Sequence, residues 1–542
     1  MKNIRVVDFK CNMLFMLNMF NLKRELCMRI IKKLMLLFFI NTVFCAYSQN
    51  AALDPTFGSS GIAAHPHPNT AEIKCFAFDQ NGNIISAGYA RQGGAGSTDY
   101  QLTLTKTDKN GILDNTFGTN GKVTTVIGHS ESPEDIVIQS DGKIIVVGSA
   151  YLGSTPTGPG PYNAFAVRYN ANGSLDTSFA TNGIYKLTSA RQFVSVMLLS
   201  SGAIVLGGNT SLNNEYLAIL VKLDSNGVED NQYGSNGVLS LTSSNFKFLM
   251  WEAILLNNGS IFCVGYEYSD ILNHSKSAYC KIDSFGNFDT TFGTNGKVTL
   301  DLFNYNPITN ITELLHTARE LPNGQIVVGG TELNPFLLKI NSNGSLDSAF
   351  GTNGMKIVSH SFRPRAMALQ ANGKIIIGGL KMFTTVNNGY TVTRLDNDGN
   401  LDTAFNNGKG LVDIDASAGD DWLNHIKLQS NDTLIIGGGS KINNAYNFTL
   451  ARLLLDTPLS VENSEEQFIK VYPNPFKDRF FVEDFEGIIK NIKIFDNTGR
   501  IIKTVSDSNP IKEIYTDFAN GIYHITVETK DGRIMHKKMI KK

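Results

Sequence analysis

Features that define several protein classes are scarce in this 542-residue chain. Only 18% of the residues are charged, and residues 49–466 carry 26 Lys/Arg against 37 Asp/Glu, which argues against nucleic acid as a partner. The six cysteines show no CxxC or His-rich spacing, so a disulfide framework or a zinc site is not expected. The longest apolar run holds about a dozen residues, whereas a spanning helix needs roughly 20, so we expect no transmembrane span in the mature chain.

Signatures of common catalytic sites are also missing. No GxSxG elbow, HExxH helix, Walker loop or dinucleotide-binding glycine run stands in a strand–turn–helix context. Glycoside hydrolysis needs only two suitably spaced carboxylates, which a sequence does not reveal, so a hydrolase stays open as an alternative. We expect a protein that is not an enzyme, with no catalytic residues to name.

The first 48 residues predict a secretory signal peptide. From Met28 the chain has a basic start, an apolar run over residues 34–45 and the small-x-small site Ala46-Tyr47-Ser48. We therefore expect residues 1–48 to be removed and Met28 to be the true start. Cys45 raises a lipoprotein alternative, but the bulky Phe44 before it disfavours lipid attachment.

One phrase, typified by LDNTFGTNGKV at Leu113, recurs seven times. Such regular self-similarity over some 400 residues is typical of a solenoid, a propeller or an array. The seven copies are marked by their aromatic residues, Phe57, Phe117, Phe179, Tyr233, Phe292, Phe350 and Phe405, which are 54 to 62 residues apart.

Each period contains a strand, a hairpin and another strand. In the second period these are GKVTTVIG, then EDIVIQSDGKIIVVGSA, then NAFAVRYN, with alternating or continuous apolar residues and Gly, Asn and Asp at the joins. The turn at Asp141-Gly142 favours a type I′ hairpin. Four short strands per repeat and seven repeats predict an all-β fold, a seven-bladed β-propeller over residues 49–456.

The repeat phrase resembles the delta-60 repeat of bacterial secreted and surface proteins. The resemblance is carried by LDxxFGTNGKV, then DGKIIVVG, then AVRYNANGSLD, and it covers residues 53–456. It implies repeats and a propeller, but no chemistry. The fourth copy departs most, because Tyr233 replaces the phenylalanine.

Polar residues in the repeats offer two candidate sites. The recurring Asp108/Asn110/Asp114 pattern has the oxygen-rich character of a calcium loop, but it lacks the EF-hand spacing, and Asn or Asp before Gly is also what a tight turn needs. We therefore expect no metal site and no cofactor, with calcium as the alternative.

The second candidate depends on which strand is innermost. If the strand before each hairpin turn lines the channel, two variable positions per blade face its mouth, as a polar-ligand pocket would require. Solvated rims also vary without function, so both interpretations stay open. The candidate ligand-binding residues at this rim are Trp251, Glu252, His316, Arg365 and His425.

A separate module follows the repeats. Residues 457–466 read as a linker, and residues 467–542 contain short alternating strands that predict a small immunoglobulin-like β-sandwich. VYPNPF at Val471, FDNTGR at Phe495 and GIY at Gly521, with a lysine-rich end, resemble the type A C-terminal sorting domain of the type IX secretion system of Bacteroidota. The residues that carry this motif are Tyr472, Pro473, Asn474, Pro475, Gly499, Gly521 and Tyr523.

The resemblance implies export across the outer membrane, hence a secreted or surface location and the secretion machinery as a partner. Since no catalytic motif accompanies this export tag, we expect a binding module for a glycan or a surface protein. The alternatives are an exported hydrolase with its site in the channel mouth and a structural surface-layer component whose blade faces carry exposed apolar strips.

Overall fold

The computed structural model describes residues 50–67, 69–93, 97–153, 161–212, 215–243, 246–269, 274–302, 314–331, 335–358, 362–381, 389–406, 408–417, 419–430, 432–442, 445–457, 469–484, 489–496, 500–505, 511–530 and 534–542. It divides into two compact units, Met1–Pro458 and Leu459–Lys542, and each is considered by itself. The predicted signal region and all but the first residue of the predicted linker lie outside the described residues, so those boundaries stay predictions. No helix in the described ranges is long and apolar enough to cross a membrane.

The first unit is a ring of seven antiparallel sheets, confirming the predicted seven-bladed β-propeller. The chain begins with β1 (Asn50–Leu53) and β2 (Ile62–His65). Blade 1 is β3 (Ala71–Phe78), β4 (Ile84–Arg91), β5 (Tyr100–Thr107) and β6 (Lys122–Thr125); blade 2 is β7 (Ser130–Ile138), β8 (Ile144–Tyr151), β9 (Tyr162–Tyr169) and β10 (Ile184–Leu187). Blade 3 is β11 (Ala190–Leu198), β12 (Ile204–Leu212), β13 (Glu215–Leu223) and β14 (Val238–Ser240); blade 4 is β15 (Phe248–Leu255), β16 (Ile261–Ser269), β17 (His274–Ile282) and β18 (Lys297–Leu300).

The remaining blades follow the same order. Blade 5 is β19 (Leu314–Glu320), β20 (Ile326–Thr331), β21 (Pro335–Ile340) and β22 (Met355–Ile357); blade 6 is β23 (Phe362–Leu369), β24 (Ile375–Lys381), β25 (Gly389–Leu395) and β26 (Leu411–Ile414). Blade 7 is β27 (Asp421–Ser430), β28 (Thr433–Ile442) and β29 (Ala445–Thr457), completed by β1 and β2. The first strand of each blade contacts the first strands of both neighbouring blades, so the strand before each hairpin turn is the innermost one.

The hairpin turns differ from the predicted type. In blade 1 the Gly82 N–H donates to Asp79 O and the Asp79 N–H to Asn83 O, while positive φ is found at Gly82 but not at Asn81. A type I′ turn needs positive φ at both central residues, so the type I′ prediction was wrong for the hairpins of blades 1 to 6. These six hairpins have three-residue loops in which a type I turn is followed by a left-handed glycine. The turn of blade 7 includes Asn431, which lies outside the described residues.

The type I′ geometry occurs instead at the Asn-Gly of the recurring phrase. Asn120 has φ of 51° and Gly121 has φ of 79°, and Thr119 and Lys122 exchange both backbone hydrogen bonds across them. In blades 1 to 5 this tight hairpin leads the chain from the end of the phrase into the outermost strand. Asparagine tolerates the left-handed conformation better than other side chains, which explains its recurrence.

The ring closes by mixing both ends of the propeller in one sheet, a question that the sequence left open. β2 pairs antiparallel with β29, with Ile62 opposite Ala451, and β1 pairs with the same strand further along. The outermost strand of every blade comes from the phrase after its hairpin, so the strand of the first phrase is left over to complete the last blade.

Each copy of the recurring phrase contributes an aspartate to an ion pair that recurs in every blade. Its aspartate accepts the backbone N–H two residues on, as expected of a turn cap, and also pairs with a Lys or Arg on the third strand. In blades 1 to 6 this cation stands eight residues before the aspartate, as Arg394 does before Asp402. In blade 7 the partners come from opposite ends of the propeller, because Arg452 pairs with Asp54 at 2.9 Å and lies 4.8 Å from the centre of the Phe57 ring. We call Arg452, Asp54 and Phe57 the clasp.

The recurring aromatic residues pack between blades. Phe117 is 1% exposed and belongs to a cluster that includes Leu104 of blade 1 and Val146 of blade 2. Cys263 and Cys280 are directly opposite each other on β16 and β17 and are buried free thiols, as is Cys75.

The second unit is a β-sandwich, as predicted. One sheet is β30 (Ile469–Tyr472), β31 (Arg479–Asp484) and β34 (Ile511–Tyr515), and the other is β33 (Ile501–Val505), β32 (Ile489–Phe495), β35 (Gly521–Thr529) and β36 (Ile534–Lys541). Side chains from both sheets, among them Val482, Ile494 and Ile525, form a single buried cluster.

Candidate functional site

The innermost strand of every blade contains a β-bulge at the same position. In blade 2, Pro133 pairs with Gly148 and Asp135 with Val147, which leaves Glu134 without a partner residue. The register shifts in the same way in the other six innermost strands. The extra residues are Lys74, Glu134, Val194, Trp251, His316, Arg365 and Asn424, and we call them the mouth ring.

A glycine opposite each bulge makes room for it. A Cβ on Gly148 would collide with the carbonyl oxygen of Ser132, and a Cβ on Gly265 would collide with that of Leu249. The glycine that ends the recurring IIVVG pattern is therefore required by the close approach of the bulged strand. The sequence showed this glycine in each repeat but gave no indication of the bulge.

The bulges explain how two consecutive residues face the channel. In a regular strand, successive side chains point to opposite faces, whereas a bulge re-aims one of them. Mouth-ring residues and the residues that follow them together line a cavity of about 300 Å³. Its lining includes all five predicted rim residues, Trp251, Glu252, His316, Arg365 and His425. That they bind a ligand stays a prediction.

Four of the seven residues directly after the mouth ring join neighbouring blades. The backbone N–H of Val196 donates to Asp135 at 2.9 Å, that of Ala253 to Ser195 at 2.9 Å, and that of Ala318 to Glu252 at 2.7 Å. The Phe76 N–H donates to Nδ1 of His425 at 3.3 Å, which links blade 1 to blade 7. Glu252 and His425, predicted as ligand contacts, therefore also hold the ring together. We call the full set of residues that follow the mouth ring the bridging ring: Cys75, Asp135, Ser195, Glu252, Thr317, Ala366 and His425.

An aromatic and cationic patch lies on one side of the cavity. Trp251 is 43% exposed, and the ring of His316 meets it edge-on with centroids 5.0 Å apart. His316 Nε2 is 2.6 Å from Thr331 Oγ1, and burial, with help from Arg365, lowers the pKa of His316 to about 4. The imidazole is therefore neutral at physiological pH, which leaves Arg365 as the charged member of this patch.

Two carboxyl groups in the cavity have raised pKa values. Burial raises the pKa of Glu134, although Lys74 and Arg365 favour its charged form, and Ser132 Oγ donates to Glu134 at 2.9 Å. Burial also raises the pKa of Asp135 to about 6, against the lowering effect of two backbone N–H groups. Perturbed carboxyl groups in a polar cavity are typical of functional sites, and they also occur in structural networks.

Arg319 was missed by the sequence reasoning. It lines the cavity three residues beyond the mouth ring of blade 5 and pairs with Glu252 at 2.8 Å. A regular pattern of two rim positions per blade did not include it.

No group of three or more His, Cys, Asp or Glu side chains suited to a metal ion occurs in the described parts of the chain. The Asp108 carboxylate of the candidate calcium turn accepts the backbone N–H groups of Asn110 and Ile112 at 2.9 Å each. This oxygen is therefore used by the turn itself.

The sorting-motif residues of the second unit have structural contacts. Tyr472 and Asn474 each precede a proline, Pro473 and Pro475, through a cis peptide bond. Asn474 Oδ1 accepts the Ile540 N–H at 2.9 Å, which joins the motif to β36. Tyr523 is buried and its hydroxyl donates to the Ala519 carbonyl, whereas a side chain at Gly521 would meet open space. Gly499 lies outside the described residues.

Family comparisons match both units. Residues 470–542 match the secretion system C-terminal sorting domain, and residues 139–179, 321–350 and 370–405 match the DUF5122 β-propeller, a domain of unknown function. No protein with curated annotation matches the chain.

Solved structures resemble the chain at low identity. A protein of unknown function from Dyadobacter fermentans is 9% identical over 73% of this chain and 99% of its own, with a TM-score of 0.42. A polysaccharide lyase, an ulvan lyase, is 10% identical over 76% of this chain and 95% of its own, with a TM-score of 0.43. The β-propeller domain of the trilobed protease from Pyrococcus furiosus is 7% identical over 72% and 95%, with a TM-score of 0.33.

Proposed function

We propose that this chain, a secreted or cell-surface β-propeller that carries DUF5122 repeats and a type IX secretion sorting domain, is a non-catalytic module that binds a glycan at the mouth of its channel. The sorting domain engages the secretion machinery, and the propeller meets its ligand outside the cell. A surface protein is the alternative ligand.

The observation that carries the proposal is the set of bulges. Regular strands would build the same propeller, yet each bulge adds one side chain that faces the channel without pairing. At three of these positions stand Trp251, Arg365 and Lys74, all of which line the same cavity. An exposed aromatic ring beside cations and a carboxylate offers a stacking surface and hydrogen-bonding groups to a sugar.

A glycan array probed with residues 49–542, with and without Ca²⁺, tests the proposal. We expect saturable binding that Trp251→Ala abolishes. The matched control is Phe285→Ala, which removes another exposed aromatic side chain, one that does not line the cavity. Binding unaffected by Trp251→Ala would refute the site, and failure to bind any glycan would favour a protein ligand.

An exported hydrolase is the second candidate, because two acids with raised pKa values, Glu134 and Asp135, line the cavity. A carboxyl group with a raised pKa can serve as a general acid near neutral pH. Release of reducing ends from any glycan that the array identifies would support this function, provided that Glu134→Gln or Asp135→Asn abolishes it. Intact glycan after long incubation would leave binding as the function.

A further inference from the structure

The cavity has equal numbers of cationic and acidic side chains, but these side chains are not equally available to a ligand. Three cations, Lys74, Arg319 and Arg365, and three acids, Glu134, Asp135 and Glu252, line it. Arg319 and Glu252 form an ion pair, and Glu252 also accepts the Ala318 N–H. These two charges compensate each other and are fixed by the joint between blades 4 and 5.

Asp135 is likewise engaged by the scaffold. One of its oxygens accepts the Ile136 N–H at 2.8 Å and the other accepts the Val196 N–H at 2.9 Å. A carboxylate whose two oxygens receive backbone N–H groups has little capacity left for a ligand. Of the three acids, Glu134 is therefore the one that retains accepting capacity towards the cavity.

The cations of the mouth ring are differently placed. Within the part of the chain that the structure describes, neither Lys74 nor Arg365 has a hydrogen bond or an ion pair. His425 adds a further donor, because its Nδ1 accepts the Phe76 N–H and the neutral ring must then carry its proton on Nε2. Available donors therefore exceed available acceptors, and two of the donors carry full positive charge.

Resting on the proposed function, we propose that the channel mouth selects an anionic sugar, whose carboxylate or sulfate group binds between Arg365 and Lys74 while its ring stacks on Trp251. A sugar hydroxyl donates to Glu134. The guanidinium fork of Arg365 suits the paired oxygens of either anion. A cavity of about 300 Å³ is at the small end of ligand sites, so one acidic residue of the glycan enters it and the rest of the glycan stays outside.

Titration calorimetry on residues 49–542 tests the proposal with three oligosaccharides of one backbone: a carboxylate-bearing form, its carboxyl-reduced neutral form and the sulfate ester of that neutral form. We expect at least one anionic form to bind roughly 10- to 100-fold more tightly than the neutral form, as charge-assisted hydrogen bonds of about 1.5–3 kcal/mol imply. The two anionic arms show whether carboxylate or sulfate is the natural group.

Two variants test whether Arg365 is responsible for the preference for an anionic sugar. Arg365→Gln should weaken binding of the anionic form about tenfold or more and leave the neutral form unchanged, while Lys356→Gln, which removes a cation from the outermost strand of blade 5, should change neither. Equal binding of neutral and anionic forms would overturn the anionic selection and leave the proposed function standing. Absence of binding by all three forms would count against both. An anionic preference that survives in Arg365→Gln would place the selecting cation elsewhere and overturn this assignment.

Discussion

The clasp predicts that one side chain holds the propeller ring closed. Arg452 is 7% exposed, donates to Asp54 at 2.9 Å, and also donates to Thr56 and to the carbonyl of Lys109. Removing one partner of a buried ion pair costs about 3–5 kcal/mol, because the other charge stays buried without compensation. Asp54 is only partly buried, so we expect about 3 kcal/mol, the lower end of this range. Arg452→Met should therefore destabilise the propeller by about this amount.

The matched control is Lys281→Met in blade 4. Lys281 pairs with Asp289 at 3.1 Å and lies 5.7 Å from the Phe292 ring, so the local arrangement is the same. There, however, all three residues come from one continuous stretch of chain, so their loss does not release a terminus. Both variants should lower the unfolding midpoint, and they should differ in where the structure loosens.

Hydrogen exchange at β1 and β2 distinguishes the two variants. If loss of the clasp weakens the attachment of these strands to β29 by about 3 kcal/mol, their opened population rises roughly 150-fold in Arg452→Met. In Lys281→Met the exchange of the same strands should stay at its original rate. Equal exchange in β1 and β2 of both variants, or no change in either, would refute the idea that Arg452 closes the ring.

Three further predictions concern the bulge, acid and calcium. Gly148→Ala should destabilise the propeller strongly because its Cβ meets the Ser132 carbonyl, whereas Gly329→Ala, whose Cβ would meet only side-chain atoms within 4 Å, should cost much less in urea unfolding. Burial lowers the pKa of His65 to about 4 and that of His67 to about 3, so the unfolded chain binds protons below pH 6.5 that the folded chain does not. Stability should fall as the pH drops from 6.5 towards 4, by about 2 kcal/mol per histidine at pH 5, and the double variant His65→Gln/His67→Gln should lose that part of the slope. Because the turn aspartates are engaged with backbone N–H groups, EDTA should leave the melting temperature unchanged; a clear drop would restore the calcium interpretation.

The sequence was sufficient for the number and order of blades because each repeat carries its own periodicity and turns. The phrase around Phe117 recurs with its Asn-Gly hairpin, and both features are local to a few residues. The type of the Asp141-Gly142 turn was mispredicted because a glycine with positive φ serves a type I′ turn and a three-residue loop equally well. The dipeptide alone does not fix the loop length.

Ring closure and the clasp could not be predicted because they depend on contacts between residues about 400 positions apart. Arg452 and Asp54 look like members of two different repeats in the sequence, and in blades 1 to 6 the aspartate has a cation eight residues before it. The first phrase lacks a preceding cation and the last cation lacks a following phrase. An aspartate without its cation at one end and a cation without its aspartate at the other would have indicated that strands from both ends form one blade.

The position of the candidate site could be predicted from the sequence. Which of its residues face a ligand and which link neighbouring blades could not. Alignment on the turns identified both variable rings, yet only the structure distinguishes them. The mouth ring consists of the extra residues of the bulges, of which Asn424 alone donates to the next blade in the described structure, whereas four members of the bridging ring accept a backbone N–H from the next blade. This role also explains why the residue type varies along the bridging ring. Any side chain that can accept the N–H of the next blade serves, as Asp135, Ser195, Glu252 and His425 do.

The joint between blades 5 and 6 departs from this pattern, because Thr317 supplies a hydroxyl that is buried without a hydrogen-bond partner in the described structure. Ala366, the next member of the bridging ring, has no side-chain acceptor at all. These two joints therefore depend on packing of residues such as Met367 and Ile426, both about 1% exposed.

Arg365 of the mouth ring lies between these two joints, on the blade that is least tied to its neighbours by the bridging ring. A ligand that binds Arg365 together with Lys74 would connect this blade across the channel to blade 1, and so would supply a link that the bridging ring lacks there.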